Sequence, residues 1–139
     1  MALFNRKPKA TKIHSLQELE PMIESGQPVL LDFFQVGCAP CQVMDGIVNE
    51  LAREYGESAH IVKVDVAKVA GAAQVFNVRS TPTFVLLGRP QKKQNKKQRR
   101  ANEAAPEPGK MAQRWRSSGL VKKDQLARAL EGHGATPVA

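Results

Sequence analysis

Val29-Leu-Leu-Asp-Phe-Phe34, then three residues, then Cys38-Ala-Pro-Cys41, is the stretch that decides how this chain reads. Val29 to Phe34 is apolar on both faces apart from Asp32, a pattern suited to a central strand. Cys38 and Cys41 are the only two cysteines of the chain, and they open a helix expected over Gln42 to Tyr55. A thiol at a helix N-terminus meets free backbone N–H groups and the positive end of the helix dipole, which stabilise a thiolate. The thiol three residues on shares its helical face, within reach of a disulfide. The pair is suited to making and breaking one bond.

At 139 residues the chain is long enough for one domain with a full core. An apolar fraction of 42% is slightly low, so part of the length is expected to lie outside that core. Two cysteines three apart cannot staple a fold, which points to a catalytic or sensing pair in a reducing compartment. The basic stretch 1–12 has no apolar core region or small-residue cleavage site, and no run is long enough to span a bilayer. The expectation is a soluble cytoplasmic monomer with no membrane association. The net charge of +8 is concentrated in two places. Arg6, Lys7, Lys9 and Lys12 lie in the first, and Arg89, Lys92, Lys93, Lys96, Lys97, Arg99 and Arg100 in the second, against Glu103 and Glu107. The remainder is nearly neutral.

Working outward, Ser15-Leu-Gln-Glu18 forms a capping box. It opens a helix with Leu16, Leu19, Met22 and Ile23 on one stripe, interrupted by Pro21 and stopped near Gly26. His60 to Asp65 alternates as a strand, Val69 to Phe76 reads as a short helix, and Thr83 to Leu87 as a strand. Met111 to Arg116 is a plausible partner strand, and Val121 to Leu130 the last helix. Gly88 to Pro108 is polar throughout and cannot bury a face. The tail from Gly132 is rich in Gly, Ala and Pro and is expected to be flexible. The order predicts an α/β fold, a central mixed β-sheet flanked by helices on both faces.

Half of a zinc site is the main rival for a lone CxxC. Zinc needs four ligands, and His14, His60 and His133 are single and far apart, so no metal is expected. Asp32 has two readings. It faces solvent, or it is buried with a raised pKa beneath the cysteines, able to take and return a proton. Pro82, just before a strand, is a trans strand-starter or a cis proline.

Leu31-Asp32-Phe33-Phe34, Cys38-Ala-Pro-Cys41 and Val78-Arg-Ser-Thr-Pro82-Thr83, with their order and intervals, resemble the thioredoxin family over roughly residues 12–131. The resemblance implies that Cys38 is the exposed nucleophile and Cys41 the buried resolving thiol. Asp32 would be the buried proton acceptor, with Lys63 near its carboxylate. Pro82 would be cis, with Thr81 offering backbone groups to substrate, and Gly37, Ala39, Pro40 and Gly119 would line the substrate site. The sequence departs from the family pattern at Gly37, where tryptophan is usual, at Ala39 for glycine, at Gln42 for a basic residue and at Gly46 for proline.

The resulting expectation is a protein-disulfide reductase acting by dithiol–disulfide exchange through Cys38 and Cys41. It would bind no cofactor, act on disulfide-containing proteins and be recycled by an NADPH-dependent thioredoxin reductase. Residues 1–11 would be a basic arm, 12–131 the domain with 88–108 as an insertion loop, and 132–139 a flexible tail. The alternative is a redox-capable binding module whose basic arms dock on nucleic acid or an acidic protein partner. The arms hold no aromatic residue beyond Phe4, and net charge alone supports only non-specific attraction.

Overall fold

A computed structural model describes residues 10–89 and 111–138. The elements are β1 (Thr11–Lys12), α1 (Leu19–Glu24), β2 (Val29–Phe34), α2 (Ala39–Tyr55), β3 (His60–Asp65), α3 (Ala72–Val75), β4 (Thr83–Gly88), β5 (Ala112–Ser118) and α4 (Lys123–Glu131). A short 3-10 turn over Leu16–Glu18 precedes α1, and its capping box is formed at both ends, between Ser15 and Glu18. Pro21 falls in the first turn of α1, where its missing N–H has no intrahelical partner to lose.

The five strands form one mixed sheet in the order β1-β3-β2-β4-β5. β3 runs parallel to both β1 and β2, whereas β4 is antiparallel to β2 and to β5. β2 is therefore central, which is why almost all of it is buried.

Strand alternation sorts the core into two layers. Leu30, Ile61, Phe84 and Leu86 pack against Met44, Val48 and Leu51 of α2 and Leu126 and Leu130 of α4. Val29, Leu31, Phe33, Val62, Val64 and Val85 pack on the other face with Leu19 of α1 and Ala72 of α3. Asp32 and Phe34 share the parity of Leu30, so β2 presents them on the face that α2 crosses.

Of the boundaries that differ from expectation, three bear on the edges of the fold. Thr11, assigned to the N-terminal arm, pairs with Val62 in β1, a two-residue strand too short to leave a sequence period. α3 begins only at Ala72, after Gly71 at φ +78°, because the chain must turn before it can coil. β4 runs to Gly88, the first residue assigned to the insertion. The remainder of that insertion from residue 90, and the arm over 1–9, lie outside the described residues.

The C-terminal segment corrects the expectation of a flexible tail from Gly132. Ala135 is buried, the Thr136 N–H donates to Ser58 Oγ, and the Val138 N–H donates to the Glu54 carbonyl. Glycine and alanine allow the chain to turn and lie close against α2, where backbone hydrogen bonds hold it. Deleting residues 135–139 should lower unfolding stability by about 1–2 kcal/mol, on a net value of about 1 kcal/mol per hydrogen bond. Urea titration of full-length and truncated protein measures it; equal midpoints would show that the docked tail contributes nothing.

Candidate redox site

Cys38 caps α2. Its backbone is extended at φ −86° and ψ 106°, and the Cys41 N–H points at Cys38 Sγ from 3.2 Å. Pro40 occupies the first turn, where a proline costs no helical hydrogen bond. Cys38 is half-buried and Cys41 is only 8% exposed, so the two sulfurs meet different surroundings. They are joined as a disulfide, with Cα atoms 5.2 Å apart.

The turn before β4 reaches the same place. Thr81–Pro82 is cis, and the Thr81 carbonyl oxygen lies 3.5 Å from Cys38 Sγ, within reach of the thiol proton once the pair is reduced. The Gly119 N–H donates to the Pro82 carbonyl at 2.8 Å, joining the end of β5 to that turn. At φ +83° with open space where a Cβ would stand, Gly119 leaves the surface beside the turn unobstructed. Gly37, Ala39 and Pro40 are exposed around the cysteines.

Behind Cys41 lies a recess of about 290 Å³, lined by Asp32, Phe34, Cys41, Gln42, Asp45 and Lys63 among others. Asp32 is 3% exposed, and its Oδ1 has no hydrogen-bond partner. Burial pushes its carboxyl from 3.8 up to about 7, Lys63 opposing that rise and Asp45 adding to it. Lys63 is the Cα neighbour of Asp32 across β2 and β3, as the sequence implied. Its ammonium, however, forms its ion pair with Asp45 of α2.

The structure thus brings Cys38, Cys41, Asp32, Lys63, Thr81, Pro82 and Gly119 to one end of the sheet. Sequence reasoning missed Asp45, although its position four residues after Cys41 puts it on the same helical face. Among the described residues, no group of three or more His, Cys, Asp or Glu is placed to hold a metal ion. Nor is any helix among them long and apolar enough to cross a membrane.

The thioredoxin family model matches residues 10–106. The chain belongs to the thioredoxin family. It is 35% identical over 77 residues to Thioredoxin-1 of Drosophila melanogaster, covering 54% of this chain and 72% of that one. With the chloroplastic thioredoxin Y of Oryza sativa it is 34% identical, covering 49% of this chain but 40% of the relative. Among solved structures, a Halobacterium salinarum thioredoxin mutant superposes with a TM-score of 0.69 at 24% identity, covering 96% of this chain and 97% of its own. Fasciola hepatica thioredoxin superposes at 0.65 with 26% identity, over 88% of this chain and 98% of its own. The fold is the thioredoxin fold, and the likeness to the Halobacterium structure, over 96% of this chain, extends past the end of the family-model match. The protein is a thiol–disulfide oxidoreductase of this family, and its redox centre is the Cys38–Cys41 pair itself.

The buried carboxyl makes stability depend on pH. Between about 3.8 and about 7 the folded protein retains a proton on Asp32 that the unfolded chain has released. Stability therefore falls as pH rises through that window, because the unfolded state binds fewer protons there. Asp32→Asn should be more stable than wild type at pH 8 by a few kcal/mol, at about 1.4 kcal/mol per pH unit of displacement, and should lose that advantage by pH 4. Urea unfolding at the two pH values tests this, and a gap of equal size at both would mean that Asp32 ionises normally.

Proposed function

We propose that this thioredoxin-family protein reduces disulfides in substrate proteins in the cytoplasm, with Cys38 as nucleophile, Cys41 as resolving thiol and Asp32 as proton carrier. The observation that carries this reading is the unequal setting of the two sulfurs. Cys38 stands at the open end of α2, and Cys41 is buried against a recess that holds an unpartnered carboxyl. The reduced Cys38 thiolate attacks one sulfur of the substrate disulfide. A Cys38–substrate bond forms, the substrate S–S bond breaks, and its electron pair leaves on the other substrate sulfur, which takes up a proton.

In the second step the Cys41 proton passes to Asp32. The Cys41 thiolate attacks Cys38 Sγ, closing the intramolecular disulfide and releasing the second substrate thiolate. Two electrons have moved from the protein to the substrate. The exposed Gly37, Ala39 and Pro40, with the half-buried Thr81 and Gly119 beside them, offer an extended peptide a place to lie, with Thr81 backbone groups available for β-type pairing. An NADPH-dependent thioredoxin reductase would return the electrons, the expectation carried by family analogy.

The rival reading, basic arms that dock on nucleic acid or an acidic partner, rests mainly on residues 1–9 and 90–110, outside the described residues. Nothing in the described fold adds to it.

Three measurements test the proposed roles. Iodoacetamide at pH 7 should alkylate Cys38 in the reduced protein many times faster than Cys41, since only Cys38 combines access with the helix N-terminus. Cys41→Ser should accumulate a mixed disulfide with insulin, and Cys38→Ser should not react with it. With a thioredoxin reductase and NADPH, wild type should turn over insulin disulfides continuously. Faster labelling at Cys41, or a trapped adduct on Cys41 and not on Cys38, would reverse the assignment of the two thiols.

A further inference from the structure

Lys63 has two carboxylates to choose from. Asp32 is its direct neighbour in the sheet, and Asp45 lies across the recess on α2. The ion pair is made to Asp45, and Asp32 Oδ1 is left without any hydrogen-bond partner. The chosen partner is also the wetter carboxylate, its side chain 45% exposed where Asp32 is only 3% exposed. A surface ion pair of this kind contributes little stability, so its position matters more here than its strength.

We propose that Asp45 is a positioning residue for disulfide exchange: it holds the Lys63 ammonium toward solvent, keeps that cation from closing on Asp32, and so leaves Asp32 able to exchange a proton with Cys41. This rests on the reading of Asp32 as the proton carrier. A carboxylate locked against an ammonium stays ionised far below neutrality and cannot accept and return a proton in each cycle. The same carboxylate, buried and with its cation drawn aside, can do both.

The charged groups around Asp32 are few. Lys63 faces it from β3 and Asp45 from α2, and both act on its ionisation. Lys12 of β1 lies over the Phe34 ring, 5.5 Å from its centroid, as Lys63 does at 5.0 Å. Asp65 of β3 accepts a hydrogen bond from the Ala67 N–H through Oδ1. β4 offers the uncharged Phe84 opposite Asp32. From α2, Cys41 and the neutral Gln42 also line the recess, and the loop before α2 adds the uncharged Gln35, Val36 and Gly37. Among these, Asp45 is the group that binds the lysine.

The test is the titration of the Asp32 carboxyl, followed by carbon-13 NMR in the oxidised protein, where neither cysteine titrates. In Asp45→Ala the midpoint should fall by about one pH unit or more as Lys63 turns to Asp32. Asp45→Asn, which keeps the side-chain shape, should behave alike. The pH profile of substrate release should shift down with it. In a Lys63→Gln background, Asp45→Ala should move the midpoint much less, and that difference isolates the contact. An unchanged midpoint in Asp45→Ala would overturn the proposal. So would an equal fall with and without Lys63, since Asp45 would then act on Asp32 by direct repulsion alone. The underlying reading has its own measurement: Asp32→Asn with wild-type exchange rates would remove Asp32 from the chemistry, whatever Asp45 does to the titration.

Discussion

The seating of α2 across the face of β2 is the contact on which the site depends. Met44, Val48 and Leu51 bury themselves against the layer that includes Leu30 and Phe84, and that apolar contact fixes where the helix starts. Because strand side chains alternate, the same face carries Asp32 and Phe34 beyond Leu30, toward the end of β2 from which the chain enters α2. The first turn of the helix therefore stands over a carboxyl that the central strand has taken out of water. Loosening this packing would let solvent reach Asp32, and the displacement of its proton affinity, which comes first from burial, would fade.

Much of this was legible in the sequence, for reasons that differ by element. β2 and β3 matched their expected limits at Val29–Phe34 and His60–Asp65, because apolar runs and alternation are direct records of burial. α2 is legible through its stripe, although it starts at Ala39 and not at the expected Gln42, since a proline in the first turn does not break a helix. The cysteine pair and Asp32 stood out because each contradicts its surroundings: two reactive thiols where no framework exists, and a charge inside an apolar strand.

What escaped the sequence was held by backbone or by tertiary contact. β1 consists of two exposed residues joined to β3 by main-chain bonds that any residue could make. The segment from Gly132 is rich in Gly, Ala and Pro and leaves no period to read, yet Ser58 and the Glu54 carbonyl receive its N–H groups from outside its own neighbourhood. Nothing in the local sequence marks Asp45, and only the sheet register that places Lys63 beside Asp32 gives it meaning. Local pattern reports burial well, and pairing across elements poorly.

Disulfide exchange asks opposite things of two chemically identical groups. The attacking thiol must be ionised and reachable beforehand, whereas the resolving thiol must stay protonated until the mixed disulfide exists. A spacing of three residues meets both demands with one helix. Cys38, as the cap, receives the Cys41 N–H at the start of α2, and on the proposed assignment this helix-end stabilisation needs no charged neighbour and survives the presence of Gln42. Cys41, one turn inside, is buried beside the recess that holds Asp32, the group proposed to take its proton. Such a base must itself be poised near neutrality, which a buried carboxyl reaches only if no cation clamps it. On the proposed assignment the helix end would govern the first step and the recess the second, so the two could be altered separately by substitutions on different faces of α2.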